Sequence, residues 1–122
     1  MPYYLDPQLE AIRNAVEREI RGGVRVLSAS YIVNRYGADP VRVQRVLSDL
    51  VSAEDLTVHY RVLCSGENQR YDVDREFDNL SEIPKYPLVC TRCGDVYTPS
   101  EENISVFFEP TPVYLSYLQE AS

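Results

Sequence analysis

The sequence is poor in the residues that most often carry catalysis, with one histidine, three cysteines and no tryptophan among 122 residues. The G-x-S-x-G and H-E-x-x-H patterns and the phosphate-binding glycine loop are all missing. So are the H-x-E and C-x-E motifs that supply the acid–base glutamate of zinc deaminases. We therefore expect a protein that is not an enzyme.

Long apolar runs are also lacking. No run approaches the roughly 18 residues that a membrane-spanning helix needs, and residues 1–6 lack the basic and apolar regions of a signal peptide. An odd number of cysteines in such a chain argues for metal ligation in a reducing compartment rather than for disulfides. These features predict a cytoplasmic protein without a membrane partner.

Charge is distributed unevenly along a chain whose apolar content of 44% is ordinary for a folded domain. Residues 1–50 carry seven arginines and six acidic residues, whereas residues 51–122 carry five basic and thirteen acidic residues. Affinity for DNA depends largely on neutralising phosphates. The second half of the chain would therefore repel nucleic acid, and only the first half would tolerate it.

Cap signals divide the first half into three helices. Asp6-Pro7 and Asp39-Pro40 each place a capping carboxylate before a proline, which favours a helix start. Gly22-Gly23 and Gly37 supply stops, and Ser28 or Ser30 can cap the middle helix. The third helix has an apolar face that we expect to be buried, formed by Val43, Val46, Leu47 and Leu50.

Extended segments complete this part of the chain. Residues 24–27 alternate as a short strand does, and the runs 56–64 and 69–73, joined by residues 65–68, predict a hairpin. The order helix, short strand, helix, tight turn, helix and hairpin is that of a winged helix-turn-helix. We assign this domain to residues 1–74 of an α+β protein.

The three cysteines suggest a metal site. In Cys90-Thr91-Arg92-Cys93-Gly94 two thiols three positions apart point at one spot, and the glycine permits the tight turn of a zinc knuckle. Cys64-Ser65-Gly66-Glu67 repeats the spacing with glutamate in the second position. The simpler alternative is that the cysteines are ordinary buried thiols without a metal. The predicted Zn²⁺ ligands are Cys64, Glu67, Cys90 and Cys93.

The rest of the second half predicts a connector, a small ribbon and a tail. The acidic stretch 72–78 is expected to be a solvated loop, and residues 75–87 a connector with one helical turn at 81–83. Residues 95–97 and 104–108 favour two strands of a zinc-ribbon-like subdomain, residues 88–122, to which Cys64 contributes from the wing. The apolar tail either docks within the chain or binds a partner, through Tyr114, Leu115, Tyr117 and Leu118.

This layout resembles the winged-helix plus zinc-ribbon proteins of bacteria and archaea. Similar architecture occurs in transcription initiation factors related to the alpha subunit of eukaryotic factor E. The resemblance covers residues 6–108 and depends on the order of elements and the C-x-x-C-G motif. Glu67 departs from it, because the pattern places a cysteine there. The departure leaves three options: a carboxylate ligand, a ligand from His59 or Asp72, or a ribbon without metal.

Two functions from different classes remain. A DNA-binding regulator would place the third helix in the major groove, with Arg42, Gln44 and Arg45 contacting bases or phosphates. An adaptor would present the winged helix and the ribbon to protein partners in a larger assembly. Winged-helix domains serve both roles. The acidic second half favours the adaptor, and we expect this function, with DNA binding as the alternative.

Overall fold

The computed structural model describes residues 6–64 and 72–120, and within them the predicted α+β class is confirmed. The chain forms two compact units, one of Met1–Thr57 with Phe108–Ser122 and the other of Val58–Phe107. These bounds differ from the division at residues 74 and 87 that the sequence suggested. Residues 58–64 and 72–74 belong to the second unit, and the carboxy-terminal segment packs on a helix of the first unit.

The first unit contains four α-helices in the described residues: α1 (Pro7–Arg21), α2 (Ala29–Tyr36), α3 (Pro40–Ser52) and α4 (Pro112–Glu120). Asp6, Ser28 and Asp39 cap the first three, since each side chain accepts a backbone N–H of the first turn. Helix α2 ends at Gly37, whose φ of 62° is a left-handed conformation that glycine adopts without strain. The predicted starts and stops of these helices are therefore present.

The core of this unit lies where α1 and α2 pack on α3. The predicted apolar face of α3 is confirmed, because Val43, Val46 and Leu47 are fully buried and Leu50 nearly so. Val16 of α1 and Ile32 of α2 are also fully buried. Among the described residues, no helix combines the length and the apolar character needed to cross a membrane.

The strand predicted at residues 24–27 is reduced to a single bridge. The Leu27 N–H donates to the Phe108 carbonyl at 2.8 Å, and the Phe108 N–H donates back at 2.7 Å. Val26 remains 44% exposed. A strand needs a partner along its length, and in the described part of the chain this segment finds one only at Leu27.

The apolar tail forms α4, which packs on α1. Tyr114 and Leu118, one helical turn apart, are buried, and the Tyr114 hydroxyl donates to Glu17 Oε2 at 2.9 Å. Tyr114 and Leu118, which the sequence assigned to partner binding, thus lie in the interior of the helical unit with little exposed surface. Leu115 is half-buried, and Tyr117 is 59% exposed.

The described β-strands lie wholly or mostly in the second unit and form small antiparallel sheets. In chain order the strands are β1 (Leu56–Cys64), β2 (Asp72–Phe77), β3 (Leu88–Val89), β4 (Val96–Tyr97) and β5 (Ile104–Pro110). One sheet has the order β2-β1-β5, and β3 pairs with β4 in another. The two predicted ribbon strands, β4 and β5, thus belong to different sheets. The predicted helical turn is a 3₁₀ turn at Leu80–Glu82.

Strand β2 extends into the stretch that the sequence assigned to a solvated loop and a connector. Phe77 pairs with Tyr60, and Glu76 pairs with Arg61. The Arg61 Nε lies 3.0 Å from Glu76 Oε1, so an ion pair places this acidic residue within a strand. Cross-strand pairs of opposite charge are compatible with a sheet. The acidic composition that led us to expect a loop therefore did not prevent this stretch from forming a strand.

Candidate functional site

Three cysteines that are distant in sequence meet in the second unit. Cys64 is the last residue of β1, and Cys90 and Cys93 follow β3. Their sulfurs lie within 4.8 Å of one another, and the Cys64 and Cys93 sulfurs are 3.6 Å apart. In a tetrahedral zinc site with Zn–S bonds of about 2.3 Å, ligand sulfurs are about 3.8 Å apart. The spacing therefore fits three corners of such a site.

The turn from Cys90 to Asp95 has the backbone geometry that sequence analysis expected of a metal knuckle. Gly94 has φ 78°, and its N–H donates to the Cys90 carbonyl at 3.0 Å. The Cys90 N–H donates to the Asp95 carbonyl at 2.8 Å, and the Arg92 N–H donates to the Cys90 sulfur at 3.4 Å. Backbone N–H groups directed at a sulfur stabilise its thiolate, which is the form that binds metal.

The protonation of the thiols shows why a cation suits this site. The Cys93 N–H lowers the pKa of the Cys90 thiol, outweighing the burial that raises it. At Cys93 the Asp95 N–H lowers the pKa, but desolvation and the thiols of Cys90 and Cys64 raise it to about 12. Loss of the proton is therefore favoured at Cys90 relative to an ordinary thiol and opposed at Cys93. A bound divalent cation would remove this opposition by neutralising neighbouring anions.

Two of the cysteines are also part of a small apolar core. Cys64 and Cys90 are buried, whereas Cys93 is exposed. The buried residues of this cluster are Val62, Cys64, Ile83, Leu88, Cys90 and Tyr97. A cluster of this size supplies limited hydrophobic stabilisation, so a metal held by its cysteines would add substantially to the stability of the unit.

Sequence analysis missed Asp74, which it placed in a solvated acidic loop. The Asp74 side chain has no exposed area. Its Oδ1 accepts the Thr91 N–H at 2.9 Å and the Thr91 hydroxyl at 2.7 Å. Its Oδ2 accepts the Tyr97 hydroxyl and lies 3.3 Å from the Arg75 Nε. Burial raises the pKa of this carboxyl, but the hydrogen bonds from Tyr97 and Thr91 outweigh it and hold the pKa below its usual value.

Of the other predicted or alternative ligands, His59 is the one whose side chain the structure describes. Glu67 lies outside the described residues, as does the side chain of Asp72. His59 Nδ1 is 3.0 Å from Asp78 Oδ1, and the His59 ring stacks on Phe107 with centroids 5.3 Å apart. Within residues 6–64 and 72–120, the group of possible metal ligands consists of the three cysteines.

The residues predicted to contact DNA lie on α3 beside carboxylates of the same unit. The Arg42 Nε is 3.2 Å from Asp6 Oδ2, and the Arg42 Nη1 is 3.6 Å from Asp39 Oδ2. The Arg45 Nε is 4.0 Å from Asp49 Oδ2. Gln44 is exposed. Each arginine of the proposed recognition surface therefore already has an acidic neighbour.

A second buried carboxylate lies in the helical unit. Glu19 Oε1 accepts the Tyr31 hydroxyl and lies 3.1 Å from the Arg35 Nε, while Oε2 accepts the Tyr36 hydroxyl at 2.8 Å. The hydrogen bonds from Tyr31 and Tyr36 lower the pKa of Glu19 despite its burial. Glu19 is thus ionised at neutral pH and joins α1 to α2. These properties fit a structural role for Glu19 better than a role as a general acid or base.

Comparison with known proteins adds no relative. No model of a protein family matches the chain, and neither the curated proteins nor the solved structures contain a match.

Proposed function

We propose that the chain is a non-enzymatic adaptor with a winged helix, α1–α3 with the β1–β2 hairpin, and a zinc-ribbon-like unit. It would bind protein partners within a larger assembly in the cytoplasm, where cysteines remain reduced. The resemblance to winged-helix plus zinc-ribbon proteins is retained as part of this proposal. Zn²⁺ would be held by Cys64, Cys90 and Cys93, as their sulfur spacing supports, and by Glu67.

The pairing of the α3 arginines carries the choice of adaptor over DNA-binding regulator. Arg42 lies beside Asp6 and Asp39, and Arg45 lies beside Asp49. Phosphate would compete with these carboxylates for the two arginines, and the carboxylates beside them would repel the DNA backbone. The formal net charge of −7 adds a long-range repulsion of the same sign. Both effects favour a protein partner.

The partner would bind to the exposed side of α4. Tyr117 is 59% exposed and Val113 is 80% exposed. Together with Arg13, Asp55 and Tyr114 they line a hollow of about 310 Å³. Exposed aromatic side chains beside a hollow are common anchors of interfaces. The acidic charge of the chain selects a partner segment with an apolar side chain for the hollow and basic residues around it.

We expect Tyr117→Ala to reduce recovery of the partner at least tenfold in affinity capture from the cells of origin with tagged full-length chain. Loss of an interface anchor costs about 2 kcal/mol or more, roughly a thirtyfold loss of affinity, so the recovery should fall by at least tenfold. Tyr86→Ala is the matched control, because Tyr86 is an exposed tyrosine of the other unit, at 64%. Nuclease treatment should leave the recovery unchanged. Equal recovery of the partner with both variants would show that the α4 surface does not bind it.

The DNA alternative is tested with purified protein and duplexes at physiological salt. The adaptor proposal expects no affinity tighter than about 10⁻⁴ M, the weak end of non-specific binding. Micromolar binding to a defined duplex that Arg42→Ala or Arg45→Ala weakens by about 1–3 kcal/mol would establish the regulator instead. A reduced dependence on salt would identify the affected arginine as a phosphate contact.

Glu67 is proposed as the fourth ligand, and exchange of this residue tests it. Glu67→Gln should weaken Co²⁺ and Zn²⁺ binding, while Glu67→Cys should strengthen it, because thiolates are the preferred ligands of structural zinc. The thiolate-to-cobalt charge-transfer band of Glu67→Cys should be about one third stronger, as expected for four thiolates in place of three. Glu76→Gln is the control, because it removes the same charge from a glutamate whose carboxylate pairs with Arg61 and is not a proposed ligand. Unchanged metal affinity in both Glu67 variants would show that Glu67 is not a ligand.

A further inference from the structure

Asp74 is the extra residue of a β-bulge in β2. Val62 of β1 pairs with Arg75, and the next residue, Leu63, pairs with Val73, so that Asp74 has no opposite residue. A bulge changes the direction in which a side chain points, and bulges are common beside functional sites. Here the bulge coincides with a carboxylate whose side chain is completely buried.

The contacts of Asp74 join the two parts of the cysteine cluster. Its strand is paired with β1, where Cys64 is opposite Asp72. Its carboxylate binds both the backbone and the hydroxyl of Thr91, which lies between Cys90 and Cys93. The hydroxyl of Tyr97, on the strand that follows the knuckle, donates to the same carboxylate. One side chain therefore links the Cys64 hairpin to the Cys90–Cys93 turn and to the strand that follows this turn.

A second link runs parallel to the first. The Arg75 Nη2 donates to the Val89 carbonyl at 3.2 Å, directly before Cys90. The Arg75 Nε also lies 3.3 Å from Asp74 Oδ2, so the guanidinium neutralises part of the buried negative charge. The segment that leads into the knuckle is thus held against β2 at residues 89 and 91, on both sides of Cys90.

We propose that Asp74 is a positioning residue of the metal centre, which holds the Cys90–Cys93 knuckle at metal-binding distance from Cys64. This inference rests on the proposed metal function. The knuckle can form its own turn, but the distance to Cys64 depends on how the knuckle docks on the hairpin. By fixing that docking, Asp74 reduces the reorganisation that metal binding requires, as partners beyond the ligands do in other metal sites.

The test uses full-length chain and measures Zn²⁺ affinity by competition with a chromophoric chelator. Asp74→Asn should bind Zn²⁺ about 10–100-fold more weakly, the usual effect of losing such a partner. Asp78→Asn is the matched control, because it removes the same charge from a side chain that is 80% exposed, and it should bind like the unchanged chain. The Co²⁺ ligand-field bands should shift in Asp74→Asn alone, which would report a distorted thiolate site.

Two milder variants keep the inference testable if Asp74→Asn does not fold. Thr91→Val and Tyr97→Phe each remove one hydroxyl from the Asp74 carboxylate and retain the shape of the side chain. Each should weaken Zn²⁺ binding severalfold. Normal affinity in both variants would overturn the role of Asp74, as would normal affinity in a folded Asp74→Asn.

Thermal unfolding with and without metal separates positioning from general stabilisation. A positioning role predicts that Asp74→Asn lowers the midpoint of the zinc-loaded chain more than that of the metal-free chain, by linkage. Equal lowering of both, with unchanged Zn²⁺ affinity, would overturn the inference and leave the metal site intact. If the unchanged chain binds neither Zn²⁺ nor Co²⁺, both the metal site and the role of Asp74 are overturned.

Discussion

Cys90→Ser is expected to release the metal and to unfold the second unit while the helices of the first unit remain. Cys90 lies in the apolar cluster of the second unit, forms the turn that carries Cys93, and is a ligand in the proposed zinc site. Binding of structural zinc supplies on the order of 10 kcal/mol in small metal domains. The apolar cluster of this unit includes six buried residues, which cannot offset such a loss.

Elemental analysis and hydrogen exchange together check this result. The unchanged chain, prepared without chelator, should contain close to one zinc per molecule by analogy with single structural sites. Cys90→Ser should contain none, and amides of β3 and β4 should exchange rapidly while those of α1 and α3 stay protected. Chelation of the unchanged chain should reproduce the exchange pattern of the variant. A Cys90→Ser variant that retains zinc and a protected second unit would contradict the prediction.

Leu47→Ala is expected to destabilise the helical unit by about 2–5 kcal/mol. Leu47 is fully buried where α3 packs against α1 and α2. Shortening it removes apolar contacts and leaves a cavity, and both effects lower the free energy of unfolding. Urea denaturation followed by far-UV circular dichroism measures this loss through the helical signal.

Two exposed positions of the same helix are the controls. Val41 is 76% exposed, and Arg45, one helical turn further along, is also exposed. Val41→Ala and Arg45→Ala should each change stability by less than about 0.5 kcal/mol, as is usual at the surface. A loss at either position that equals the loss for Leu47→Ala would show that α3 buries a different face.

Local sequence determined the helices and the knuckle. Asp6 and Asp39 cap helices through atoms within the first turn, and Gly37 ends α2 through its own backbone conformation. The buried face of α3 follows from the spacing of its apolar residues. The turn around Gly94 closes through hydrogen bonds between residues at most five apart. These features were predictable because the interactions that cause them are close in sequence.

Tertiary structure decided the features that depend on a distant partner. Tyr114 and Leu118 became core residues because α1 lies beside α4. Among the described residues, 24–27 pair at Leu27 alone, and β4 and β5 belong to different sheets because their neighbouring strands differ. Asp74 had the composition of a solvated loop, and only the pairing of β2 with β1 placed its carboxylate under Thr91. Long-range packing determines the environment of such residues, because the residues that contact them are distant in sequence.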